Sequence, residues 1–341
     1  MRIHAALDSG AHSLFNRHAA EGVKRKRNVA NADYSFFDTE EFQTYLDKYA
    51  AYCRAHGDHF TFYVTVDVIF NAERSWDTFD YLWKSGLRPL PVLHHGEPIE
   101  FLKKMLRRTD YVGVGGLAQG ATQRAYMTWA DEVFAYLGKT SEVKVHGFAM
   151  TSVPLVRKYK WYSVDSTTPW SLSRNGSLLL PSIRNNLASY TSSHILPVGS
   201  ATKRNSHANT LGETQLDQAN TYLSSRFGLT LEEVTEHYYN RDLVNIYHFI
   251  KLFAELGVVY YVSGRAGAHM DNLYWLLSQL TRLGIKDFHY LGTYFDLPPL
   301  RRVLAYAKDP KPRQTRPAIA RVHSRPDPFL FHQRSRVRIR R

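Results

Sequence analysis

Short apolar runs, rich in β-branched and aromatic residues, alternate along most of the chain with longer stretches whose apolar positions fall three or four apart. The short runs predict eight strands, over 3–8, 60–67, 90–95, 111–116, 143–150, 161–165, 258–263 and 287–291. The longer stretches predict helices between them. Asp38, with Glu41 three residues on, predicts a helix start. Phe42, Tyr45, Leu46, Tyr49, Tyr52 and Cys53 follow as an apolar stripe, closed by Gly57. Further helices are expected over 73–85, from Pro98 onward, over 123–137 and over 270–283, three of them closed by Gly86, Gly138 and Gly284.

Eight strands with helical crossovers predict an α/β protein, a (β/α)8 TIM barrel. A doubly wound open sheet gives the same alternation, and periodicity does not separate the two. Two stretches break the pattern. Residues 16–31 are polar and contain Lys24, Arg25, Lys26 and Arg27 in a row. Residues 171–240 form a long insertion after the sixth predicted strand, rich at first in Ser, Asn and Arg. It is helical later, where Thr230 and Glu233 form a capping box. The expected organisation is therefore a barrel over 1–300, including the 171–240 insertion, and a separate tail over 301–341.

Charge sharpens that division. The chain of 341 residues carries a formal charge of +13. Residues 301–341 hold 13 Lys/Arg against 2 Asp/Glu, so the body is nearly neutral and the tail is the basic element. Five prolines in the tail disfavour helix and central strand, which predicts an extended arm suited to a polyanion, nucleic acid before an anionic membrane. No apolar run approaches the roughly 20 residues of a membrane span. The N-terminus lacks a signal-peptide stretch, so a cytoplasmic protein is expected. A single cysteine, Cys53, excludes an internal disulfide framework and a multi-cysteine zinc site. It lies on an apolar helix stripe, as a core residue does.

Candidate chemistry sits at strand ends. Asp8, Asp67 and Asp165 each end a predicted strand. In a (β/α)8 barrel those ends form the rim of the active site. Carboxylates converging there repel one another and lose water, which can part their pKa values into an acid and a nucleophile. A strand-terminal Asp can equally cap the following helix. The run from Gly113 to Gly120 lets backbone N–H groups approach a planar ligand or an anion, and it is no dinucleotide fingerprint, since Ala118 takes the last glycine's place. Of His94 and His95, adjacent on a strand, only one can face the barrel mouth. Ligand-like histidine spacing is absent, so no metal is expected.

These residues carry a family resemblance. Asp8-Ser9-Gly10 resembles the D-S-G-G motif of queuine-type tRNA-guanine transglycosylases, and Val114 to Ala118 is similar to their I-G-G-L-A loop. The order and approximate spacing run through all eight predicted strands. That family binds structural zinc through three cysteines and a histidine after its nucleophile, and this chain has no cysteine there. The His146-Gly-Phe phrase and the run from Trp161 to Thr167 look more like the DpdA-type branch of phages and bacterial modification clusters, which places 7-deazaguanine bases in DNA.

The resemblance implies Asp165 as nucleophile and Asp8 as general acid/base. It implies Asp67, His95, Gly115, Gly116 and Leu117 as base-binding, with His95 in the place of a family glutamine. DNA and a 7-deazaguanine, the 7-cyano form first, would be the partners, with no cofactor and with a homodimer left open. Phosphate contacts are expected from Lys24, Arg25, Lys26, Arg27, Arg174, Arg184, Lys203, Arg204 and the tail. A zinc-free tRNA enzyme, a non-catalytic nucleic-acid-binding barrel and a sugar-cleaving hydrolase are the competing readings.

Overall fold

A computed structural model describes residues 1–19, 32–116, 123–139, 142–185, 187–199, 208, 212–264 and 272–308. Leu117, Lys24 to Arg27, Lys203, Arg204 and residues 309–341 of the tail lie outside the described residues.

Seven parallel strands make the main sheet: β1 (Arg2–Asp8), β2 (Val92–His94), β3 (Tyr111–Gly115), β4 (Lys144–Gly147), β5 (Ser163–Ser166), β8 (Val259–Ser263) and β9 (Asp287–Thr293). Their order is β1-β9-β8-β5-β4-β3-β2, so from β2 to β9 successive strands of this sheet are neighbours, β9 lies beside β1, and β1 and β2 are the two edges. The expected second strand, 60–67, is not a regular strand. Parallel bridges join Leu7 to Tyr63 and Val64 to Leu90, so this segment hydrogen-bonds towards β1 on one side and towards the approach to β2 on the other. Beyond Val64 its backbone is claimed by side chains. Tyr49 donates to the Val64 carbonyl, Thr78 to that of Val66, and the Ser75 hydroxyl both donates to and accepts from Val68. Carbonyls occupied in this way leave fewer groups for a ladder.

Helices cover the strands. α2 (Glu40–His56) begins one residue later than expected: Thr39 caps it, accepting from the Phe42 N–H, while Asp38 pairs with the Arg74 guanidinium. α3 (Ala72–Lys84) is capped by Asn71. α4 (Ile99–Leu106) follows Pro98, and α5 (Gln123–Leu137) spans its expected range. α6 (Val153–Lys158), α7 (Thr168–Arg174) and α11 (Leu273–Arg282) complete the crossovers, with α1 (Ala11–Leu14) a single turn after β1. Outward strand residues such as Leu7, Leu93, Val114, Val164 and Phe288 join these helices in one large core. Inward residues, among them Ala6, Phe62, Val92, Tyr261 and Leu291, form a separate cluster.

The insertion contains a feature the sequence pattern did not predict. β6 (Ser177–Arg184) and β7 (Leu187–Pro197) form an antiparallel hairpin, followed by α8 (Glu213–Phe227), α9 (Leu231–Glu236) and α10 (Tyr238–Glu255). Thr230 and Glu233 make the expected capping box of α9. Leu178, Leu180, Leu196, Tyr222, Leu223 and Val244 give this region its own small core. α10 is buried almost all round, between the hairpin and the sheet, as its contacts with α7, β6, β7, β8 and α11 require.

The tail boundary expected at 300 is corrected. α12 (Leu297–Lys308) runs across it, burying Val303 and Tyr306 against the sheet, so the arm can begin only beyond Lys308. No helix among the described residues is long and apolar enough to cross a membrane.

Candidate active site

Because the main sheet is parallel, its strands end along one edge, and the expected carboxylates gather there. Asp8 ends β1, Asp165 lies in the last turn of β5, and Asp67 follows the bridging segment. Burial, then the charges of Asp67 and Asp165, push Asp8 up to about 7, against the opposing pull of the Gly10 and Ser9 N–H groups. The Gly10 N–H lies 3.3 Å from the Asp8 carboxylate. Gly10 must be glycine: it sits at φ +83, and a Cβ there would meet Phe295 at 2.2 Å.

Asp165 is gripped from several directions. One oxygen accepts the Ala149 N–H at 3.1 Å and lies 3.3 Å from His146 Nε2. The other accepts the Ser263 hydroxyl, and Ser263 is itself held by the Trp170 indole on its carbonyl. Ala149 occupies the left-handed region at φ +52, an uncommon place for a residue with a Cβ. Behind His146 lies a buried relay: Nδ1 is 2.7 Å from Ser163 Oγ, which is 2.6 Å from Tyr111 Oη.

On the other side of the mouth, Asp67 lies 3.1 Å from His94 Nε2, and His94 Nδ1 lies 3.4 Å from Glu97. The ring at Asp67 is therefore that of His94. The base-binding role expected for His95 is corrected: its ring packs on Tyr126 and Trp129 of α5, away from the carboxylates. Alternation along β2 puts the two rings on opposite faces.

The glycines have a local reason. A Cβ on Gly115 would press on the His94 ring at 3.3 Å. Gly116, at φ +99, would meet the His95 backbone N at 2.6 Å, and Gly113 the Phe148 ring at 2.5 Å. Of the expected phosphate-binding residues, Arg174 is exposed at the end of α7. Arg184 is at the hairpin turn, and β7 is anchored nearby, where Glu255 accepts from the Tyr190 and Thr191 N–H groups. Glu255 ends α10, which leads into the start of β8, so Arg184 stands at the far end of the sheet from Asp8 and Asp165. Nearer the mouth, Arg17 lies over the Phe295 ring at 5.4 Å, and Phe295 stacks on Tyr45.

Sequence reasoning missed Glu97 and Ser263, carried His95 rather than His94 into the base site, and gave His146 no part in catalysis or base binding. The available signal was a polar residue inside an otherwise apolar strand, as in Lys144–Gly147. Among the described residues no group of three His, Cys, Asp or Glu side chains is arranged to hold a metal ion.

No protein-family model matches the chain, and no curated protein matches it. Among solved structures it is similar to Yersinia pestis DHPS with a pterine-sulfa conjugate, at a TM-score of 0.22 and 8% identity, over 64% of this chain and 90% of that one. A likeness that loose carries no argument about chemistry.

Proposed function

We propose that this chain is a DNA-guanine transglycosylase, exchanging guanine for a 7-deazaguanine on a (β/α)8 barrel closed through the 61–65 segment. The bridges from Tyr63 to Leu7 and from Val64 to Leu90 support closure, since they link the two edges of the sheet. One observation carries the activity: three carboxylates meet at the strand ends, one of them poised near neutrality and another held by directed donors. This is the equipment of a retaining glycosyl transfer, with one nucleophile and one proton shuttle.

In the proposed reaction Asp165 attacks the anomeric carbon of a deoxyguanosine, while protonated Asp8 gives its proton to the leaving guanine. The C–N bond breaks as the aspartyl C–O bond forms. The incoming 7-deazaguanine, the 7-cyano form first, then loses its N9 proton to Asp8 and attacks the same carbon, releasing Asp165. One glycosidic bond replaces another, so the exchange consumes neither ATP nor a redox equivalent. Asp67 accepts from the N1–H edge of either base, and adenine, with an acceptor at N1, is disfavoured. The target nucleotide must leave the stack to reach the mouth.

The test is base exchange and trapping. DNA and tRNA carrying labelled guanine are each incubated with the protein and 7-cyano-7-deazaguanine. Label release from DNA, with a covalent adduct lost in Asp165→Asn, is the expected result. Release from tRNA alone would refute the DNA assignment. Wild type indistinguishable from Asp8→Ala and Asp165→Ala would refute the mechanism.

A further inference from the structure

The turn after β2 folds an acid beneath an imidazole. Glu97 N donates to the His94 carbonyl at 3.0 Å, and His94 N donates back to Glu97 Oε2 at 2.8 Å. That closure leaves Glu97 Oε1 3.4 Å from His94 Nδ1, while Nε2 on the other side of the ring is 3.1 Å from Asp67 Oδ2. Asp67, His94 and Glu97 are 5%, 4% and 7% exposed, so solvent screens none of them. Gly115 leaves room for the ring.

A neutral imidazole has one N–H and one bare lone pair. With a carboxylate facing each nitrogen, the neutral ring would set a lone pair against an anion. The imidazolium gives a donor to Asp67 and a positive charge to Glu97, whose Oε1 lies 3.4 Å from Nδ1 without a hydrogen bond. It also offsets charge in a mouth that holds Asp8 and Asp165 besides Asp67 and Glu97. Burial opposes a charged ring here, but Glu97 and then Asp67 outweigh it and carry His94 up to about 10. Tyr34 also senses the Glu97 charge, which, with burial, raises its phenol.

We propose that His94, held as an imidazolium between Asp67 and Glu97, is the specificity-determining group of this pocket: it holds the Asp67 carboxylate in place as an acceptor, and so selects heterocycles that present an N–H donor edge. The proposal rests on the transglycosylase reading for its ligand, a guanine-type base, and on the acid–imidazole–acid row for its physics. Glu97 acts through His94 and is a positioning residue.

The test uses the full-length protein with Asp8→Asn, so that Asp8 no longer titrates. Ring-labelled histidine NMR reports the charge on His94, and calorimetry reports the affinity for 7-cyano-7-deazaguanine between about pH 5.5 and 8.5. The imidazolium signal should persist across this range, and affinity should be flat. Glu97→Gln should let the ring lose its proton at the alkaline end, weakening binding about tenfold there. His94→Gln removes the charge beside Asp67 at every pH and should weaken binding about equally across the range.

A pH slope in Glu97→Gln with none in His94→Gln is not what a general loosening of the pocket produces. A neutral His94 at pH 7, or the same profile in both variants, overturns the proposal. If no purine or 7-deazapurine binds at any pH, the transglycosylase reading falls and the ligand assignment with it. The NMR signal then still decides the charge of the ring.

Discussion

Two carboxylate–imidazole pairs lie at the strand ends, and they differ in what stands behind the imidazole. Asp67–His94 and Asp165–His146 have nearly equal separations, 3.1 and 3.3 Å, and both rings are buried. Behind His94 is the carboxylate of Glu97; behind His146 is the hydroxyl of Ser163, followed by that of Tyr111. An acid demands a proton on the nitrogen it faces, whereas a hydroxyl can donate or accept. The first pair is therefore built to hold a fixed charge, which suits recognition. The second can redistribute its hydrogen bonds, which suits the nucleophile's part proposed for Asp165. The more remote partner, more than the contact pair itself, sets the task.

The largest expected effect lies on the chemical side. Asp165→Asn should lower single-turnover guanine release by roughly 10⁴-fold or more, with base affinity retained, because a nucleophile has no substitute in a covalent exchange. Asp67→Asn should do the reverse, weakening base affinity more than it slows the bound complex. Rapid-quench measurements at saturating base would separate the two, and equal effects on rate and affinity in both variants would break the division of labour.

Asp8, whose carboxyl feels the charges of both Asp67 and Asp165, should contribute about 10²- to 10⁴-fold. Its sign is legible in the half-reactions. Release of guanine needs the protonated form, so the single-turnover rate should fall as pH rises through about 7, and attack by the incoming base should rise over the same range. Stability follows the same titration. The folded-state value is raised above the ordinary 3.8, so this group costs stability progressively from about pH 4 to 7 and the loss persists above. Asp8→Asn should therefore melt higher than wild type at pH 8 and close to it at pH 4. Equal shifts at both would show that Asp8 is not the titrating group.

How much of this was written in the sequence depends on the element. The strands ending in Asp8 and Asp165 were legible because an apolar run closing on a carboxylate is a local pattern. The choice between His94 and His95 was not. Val92 and Leu93 are both apolar, so the run lacks the alternation that would tell inward from outward. The hairpin β6–β7 was hidden for a related reason: its strands do not alternate cleanly, since Ile183, Leu187 and Ile195 are exposed beside Ser192, Ser193 and His194 while Leu178, Leu180 and Leu196 are buried, so it read as a polar loop. Asp38 was a plausible cap until Arg74, distant in sequence, took its carboxylate. α12 begins ahead of the supposed tail and runs into it; its start was hidden because Pro298 and Pro299 suit a first helical turn as well as an extended segment.

The tail offers a test of whether charge acts apart from the two pairs. Removing residues 309–341 keeps α12 whole and deletes 10 Lys/Arg and 2 Asp. DNA affinity should fall about 10- to 100-fold at low salt, and its decline between about 50 and 200 mM salt should flatten, with base affinity unchanged. Filter binding across that range would measure it. A change in base affinity instead would mean that the tail reaches the mouth, and the two pairs could no longer be treated as self-contained.

The smallest effect gives the most direct comparison. If Tyr111 donates to Ser163 and Ser163 donates to His146 Nδ1, the ring proton sits on Nε2 and faces Asp165. The other tautomer would turn a lone pair on Nε2 towards the carboxylate. Tyr111→Phe removes the first donor and leaves Ser163 free to accept from Nδ1, so both tautomers become accessible. The expected result is a 3- to 10-fold loss in kcat, little change in KM and about 1 kcal/mol of lost stability from the buried hydrogen bond. Glu97→Gln should show the complementary split at alkaline pH, with KM raised and kcat near wild type. Steady-state kinetics on the two variants side by side then decide the matter: matching splits would mean that the groups behind the imidazoles do not assign the roles, and opposite splits would mean that they do.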